Sequence, residues 1–218
     1  MNTIEKTVEY VKNELYNDAS GHDWWHIFRV WNNAKLIASN YNEVDHTVIE
    51  LAALLHDIAD WKDHDGDFDI GPATARKWLE KFDEISNDQV DKVCHIIKNV
   101  SFKGANAEQV ELQIEGHIVQ DADRLDAIGA LGISRTFAFG GNRGHMIYDP
   151  NIPHIDHKDE ASYVHNQKKT TTINHFYEKL LLLKDRFNTE HGKRIAEERH
   201  QYMESFLQQF YGEWNGKR

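Results

Sequence analysis

Residues 51–61, LAALLHDIADW, decide how the rest of the chain is read. Leu51, Ala52, Leu54, Leu55 and Ile58 leave almost no polar face until His56, Asp57 and Asp60, so the segment reads as the end of a buried helix. Adjacent helical positions lie about 100° apart, close enough for an imidazole and a carboxylate to lean toward one ion from the same turn. Asp60 follows on a neighbouring face. A helix end reaching water would also carry His and Asp, so the choice between the two readings rests with the rest of the chain.

The composition narrows the classes. A chain of 218 residues, 40% hydrophobic, 28% charged and with three prolines, suits a folded domain that buries roughly 70% of its unfolded surface. A net charge of -11 without any run of five or more Lys and Arg argues against nucleic acid and anionic membranes as partners, though it leaves room for a local basic pocket. Cys94 is the single cysteine, which excludes an intrachain disulfide and a thiolate zinc cluster. The N-terminal residues are charged and amphipathic, and no apolar run approaches the ~20 residues of a membrane span, so a cytoplasmic protein is expected.

Helical periodicity runs through the chain. Ile4, Val8, Val11 and Leu15 share one face of a first helix ending near Asn17. Ser20 or Asp23 caps a second, which carries Trp24, Trp25 and Trp31 as core residues and His26 among large apolar neighbours. Asp45 or Thr47 starts the third, which runs into the opening stretch. The acidic loop after it spaces Asp63, Asp65, Asp67 and Asp69 alternately, but Gly66 and the missing closing Glu do not match a calcium loop. Residues 72–82, 86–100 and 110–139 read as helical. Residues 140–157 form one long loop with GGNRG and two prolines, and the spacing predicts two long C-terminal helices over 162–186 and 190–214, with Leu180 to Leu183 buried. No strand pattern appears. The expected fold is an all-α, single-domain helical bundle over 1–218, with its core motifs in 21–139 and C-terminal helices in 158–214.

Two other stretches are as anomalous as the first. His26 sits in HIFRV, and Asp121, Asp123, Arg124 and Asp126 open an otherwise apolar helix. Buried charges cost several kcal/mol each unless they are paired or bound to metal. One divalent cation held by two imidazoles and two carboxylates resolves all three anomalies, and such a donor set suits Mn, Fe, Co, Ni or Zn.

His26, then His56-Asp57, then Asp123 resemble the H…HD…D signature of the HD-domain metal-dependent phosphohydrolases, with HIFRV, LLHDIAD and DADRLDA in matching order. GGNRGHMIYDP and NHFYEKLLLLKD further resemble a small bacterial subgroup that cleaves nucleoside triphosphates to monophosphate and pyrophosphate. The resemblance implies an HD-type fold, a single divalent ion (Mn, Ni, Co, Mg, Fe or Zn) on His26, His56, Asp57 and Asp123, and a metal-activated water. Asp121 is the rival for the fourth place. Asp60 falls where relatives carry an acidic residue that positions or deprotonates the water, with Asp57 beside it in the catalytic turn. Phosphoryl transfer needs cations around the equatorial oxygens, and the candidates are Arg29, Lys62, His95, Lys103, Arg124, Lys179 and Lys184. His95 is placed on the apolar side of its helix by KVCHIIK, while His22 and His117 are weaker candidates.

The expected activity is thus a metal-dependent phosphohydrolase, favouring a nucleotide pyrophosphohydrolase, whose partner is a small phosphorylated substrate, with a homodimer compatible. The alternatives are a phosphomonoesterase on nucleotides, a non-catalytic nucleotide-sensing module, and a di-iron oxygenase that would draw His95 and His117 into the site.

Overall fold

The computed structural model describes residues 1–16, 23–59, 67, 69–100, 110–155 and 170–217. Its elements are helices: α1 (Thr3–Leu15), α2 (Trp24–Ala38), α3 (His46–Leu55), α4 (Ile70–Leu79), α5 (Asn87–Val100), α6 (Ile114–Asp126), α7 (Gly129–Asn142), α8 (Asn174–Glu178), a 3-10 helix (Leu180–Arg186) and α9 (Glu190–Trp214). There is no strand among the described residues, so the architecture is all-α as expected. No helix is long and apolar enough to cross a membrane among those residues. The chain divides into two compact units, Met1–Phe102 with Gln109–Asp123 and Lys103–Glu108 with Arg124–Arg218.

In the first unit α3 is the axis. Its residues from Val48 to Leu55 are buried almost without a break except Glu50, and α1, α2 and α5 pack around it, as an all-round apolar helix requires. Its start is set by Asp45, whose carboxylate accepts from Val48 N at 3.1 Å and from Gln89 Nε2 at 2.9 Å, while its own N–H donates to Glu115 Oε1 at 3.1 Å. Asp23 caps α2, Asn2 and Glu5 form a capping box on α1, and Ser86 with Gln89 does the same before α5. In α2 the buried stripe is Trp24, His26, Ile27, Val30, Ala34 and Ile37; Trp25, expected in the core, is 52% exposed because it lies one step of about 100° off that stripe.

The second unit corrects the helix expected over 110–139. That segment is two helices, α6 and α7, broken at Ala127 and Ile128, because Gly129 adopts φ 75°. The break is locked by arginines. Arg199 on α9 donates to the carbonyl of Leu125, and Arg135 on α7 pairs with the fully buried Asp126, so guanidinium groups satisfy the end of α6. A Cβ on Gly129 would meet the stem of Arg199 at 3.0–3.2 Å. The helix expected over 162–186 is also different: its described part is the short α8 followed by a 3-10 turn. In a 3-10 helix residues three apart eclipse each other, and so Leu180 and Leu183 are buried while Leu182 is exposed. Phe137, Phe176 and Phe206 form the aromatic centre of this unit, with ring centroids 5.7–6.2 Å apart. The 190–214 helix is found as expected.

Two outcomes follow from this packing. Gly129→Ala is expected to lower stability by about 1–2 kcal/mol from the left-handed backbone alone, read as a lower urea midpoint at an unchanged slope. On α8, burial first, then the neighbouring Lys179 and His145, pull the His175 imidazole down to about 3. An unfolded imidazole titrates near 6.5. Between those values the unfolded chain takes up a proton that the folded chain refuses, so stability falls as pH falls through the window, and His175 adds no pH slope above it. Urea melts at pH 7.5 and pH 5 should show that His175→Asn removes about 2 kcal/mol of the acid loss seen in the parent.

Candidate metal centre

The four polar residues singled out in apolar helices all lie in the first unit and come together. Asp23 Oδ1 accepts from His26 N at 2.9 Å, so the cap that starts α2 also fixes the backbone of His26 in its first turn. The side chain is 2% exposed. α3 stops at Leu55, and His56 and Asp57 follow directly from its end, both buried. His56 Nδ1 stands 2.9 Å from the carbonyl of Ala53, an acceptor left over at the helix terminus. A carbonyl only accepts, so Nδ1 carries the proton and Nε2 presents its lone pair.

That lone pair faces the meeting point. Asp57 Oδ2 lies 3.2 Å from His56 Nε2 and 3.3 Å from His26 Nε2, and Asp123 Oδ1 lies 3.9 Å and 3.5 Å from the same two nitrogens. The two imidazole rings meet edge to face at 5.3 Å. One donor atom from each of His26, His56 and Asp123 fits within a mutual 4.8 Å. His56 Nε2 is buried, and the groups that answer it are the carboxylates of Asp57 and Asp123. Burial alone would pull the His56 pKa down, but the carboxylates of Asp57 and Asp123 outweigh it and push it up to about 9, so at neutral pH a proton takes the Nε2 lone pair until a stronger cation displaces it. The point where the donors converge is therefore a basin of negative potential that favours a cation.

Asp121, the rival of Asp123, is fully buried but two residues earlier on α6, about 200° around the helix. Only one of the pair can face the imidazoles, and it is Asp123, 32% exposed. Asp60, Lys62, Lys103 and His22 lie outside the described residues. Arg29 is half-buried on the turn of α2 after His26. His95 is corrected: the buried stripe of α5 runs through Val90, Val93, Cys94, Ile97 and Val100, and the helical step puts His95 opposite it, exposed. Among the described residues neither His95 nor His117 joins the cluster. Arg124 donates to the carbonyl of Arg186, and Lys184 pairs with Glu197 at 3.7 Å. Lys179 follows α8, half-buried beside His175.

Two participants were missed from the sequence. The Ala53 carbonyl carries no side-chain signal, but Asn33 did: seven residues after His26, it is a polar residue on the same face of an apolar helix, and its Nδ2 donates to the carbonyl of Ala122 at 3.4 Å.

The family model of the HD domain matches residues 24–128. The chain is 37% identical over 212 residues to the uncharacterised protein YpgQ of Bacillus subtilis, covering 94% of this chain and 90% of that one. Among solved structures, an HD-superfamily hydrolase from Bacillus thuringiensis is similar at TM-score 0.76 and 44% identity, over 97% of this chain and 96% of the other. Bacillus subtilis YpgQ in complex with ADP is similar at TM-score 0.73 and 33% identity, over 97% and 94%.

Proposed function

This chain belongs to the HD-domain family of hydrolases, and from that membership we propose that it is a divalent-metal-dependent phosphohydrolase cleaving nucleoside or deoxynucleoside triphosphates to monophosphate and pyrophosphate. The observation that carries the reading is the convergence of His26, His56, Asp57 and Asp123 on one point from three separate stretches of chain. The donor set fits the group. Two imidazole nitrogens and two carboxylates, with no thiolate, suit Mn, Fe, Co, Ni or Zn, and the buried Nε2 of His56 faces the same carboxylates that such an ion would share with it.

A bound divalent ion supplies positive charge against phosphoryl oxygens and lowers the pKa of the attacking water. The chain's own residues do the rest. His56 is oriented by the Ala53 carbonyl, and with it His26, Asp57 and Asp123 would hold the ion. Asp60, three residues after Asp57, accepts the proton of the water as its oxygen attacks phosphorus. The bond between the α-phosphoryl group and the bridging oxygen breaks, and the electron pair leaves with pyrophosphate. Arg29, one turn from His26, is the described cation best placed in sequence to meet the phosphoryl oxygens; Lys62, Lys103, Arg124, Lys179 and Lys184 are the remaining candidates.

The ADP complex of YpgQ supports a nucleotide as the ligand of a relative similar over nearly the whole chain. It does not separate the pyrophosphohydrolase from a phosphomonoesterase, and the products do. With Mn, Co, Ni or Mg and a panel of nucleoside mono-, di- and triphosphates, the expected products of a triphosphate are monophosphate and pyrophosphate without free phosphate. Free phosphate from a monophosphate would give the phosphomonoesterase reading instead. Asp57→Ala is expected to lose both bound metal and turnover by more than the 10–100-fold (about) that an outer partner of a ligand costs; a variant retaining metal and full turnover would overturn the mechanism.

A further inference from the structure

His26 and Asp123 are far apart in sequence, on α2 and α6, yet Asp123 Oδ1 stands 3.5 Å from His26 Nε2. Apolar packing between the helices is non-directional, so it does not by itself set the rotation and axial register that this distance demands. A hydrogen bond is directional. Asn33 makes one where it matters: it lies two turns along α2 from His26, on the same face, and its Nδ2 donates to the carbonyl of Ala122, the residue that precedes Asp123.

We propose that Asn33 is a positioning residue for the metal centre, fixing the backbone at Ala122 against the helix that carries His26 so that Asp123 meets the two imidazoles. This rests on the metal-centre reading above. At 3.4 Å the bond is long, and its contribution is orientation: loss of the donor leaves α6 packed but lets Asp123 rotate or slide relative to His26. Gln120, one turn before Asp123, also ties α6 to α5 through the Val100 carbonyl at 3.3 Å, but of the ties to α6 it is Asn33 that reaches it from the helix carrying His26. Other polar ties in this unit act elsewhere. Asp45 N–H to Glu115 and Gln89 to Asp45 join the N-terminal ends of α3, α5 and α6, two to three turns from the ligands. They hold the bundle without touching the turn that carries Asp123, and they serve as the internal comparison.

The test is titration of the metal-free full chain with Mn(II) by calorimetry, beside thermal unfolding without metal and the absorption spectrum of bound Co(II). Asn33→Ala is expected to weaken Mn(II) binding about 10-fold and to shift the Co(II) bands. Gln89→Ala is expected to lower the metal-free melting temperature at least as much, while its Mn(II) affinity and Co(II) spectrum stay those of the parent. Mn(II) binding by Asn33→Ala within about twofold of the parent, against the expected 10-fold, overturns the positioning role and leaves the metal centre standing. A parent chain that binds no Mn(II) or Co(II) overturns both. Should Asn33→Ala fail to fold, Asn33→Leu, similar in shape and without the donor, is read against the same outcomes.

Discussion

The first unit depends on keeping two imidazoles and two carboxylates together inside apolar packing. Each buried carboxylate is expensive unless a positive charge or donor stands beside it. Asp57 answers this by facing His26 and His56 at 3.2–3.3 Å, and the partly exposed Asp123 joins them at 3.5–3.9 Å. The demand reaches outward: α3 must end at Leu55 so that His56 and Asp57 leave the helix together, and α2 must begin at Asp23 so that His26 falls on the buried stripe. A bundle made only of leucine and valine would pack as well without any of these boundaries. They exist because polar groups have to meet.

Much of this was legible in the chain. A histidine in HIFRV, a His-Asp pair closing LAALLHDIADW and carboxylates opening an apolar helix are exceptions to helical patterning, and exceptions of that kind mark the residues that the fold gathers. The caps Asp23 and Asp45 were legible for the same local reason, since an N-cap needs only its own side chain and a backbone donor three residues on. The preference for Asp123 over Asp121 came from the resemblance of DADRLDA rather than from helical patterning, because which of the two faces the imidazoles depends on the rotation of α6 about its axis.

The remaining misses share a cause. The break between α6 and α7 depends on Gly129 adopting φ 75° while Arg199, 70 residues later, crosses it, which no local pattern encodes. The four leucines after Lys179 read as a buried α-helical run, yet tertiary packing winds them into a 3-10 helix and turns Leu182 outward. Trp25 and His95 were assigned by the company they keep; the helical step put both off the buried stripe. Composition of a short window predicts how apolar a segment is. It does not say which of two neighbours faces inward.

The bond from His56 to Ala53 has a further consequence. The acceptor that orients this imidazole is a main-chain carbonyl three residues upstream, so no side-chain substitution can delete it. In a centre whose other contacts are drawn from distant parts of the chain, this one is inherited with the helix end itself. Sequence drift can alter the bundle around the histidine for as long as the helix still stops there, and the ring will keep its orientation. A helix terminus is thus a durable mount for an imidazole that faces a polar cluster, and a loop that lengthened α3 by one turn would remove the mount without changing a single member of that cluster.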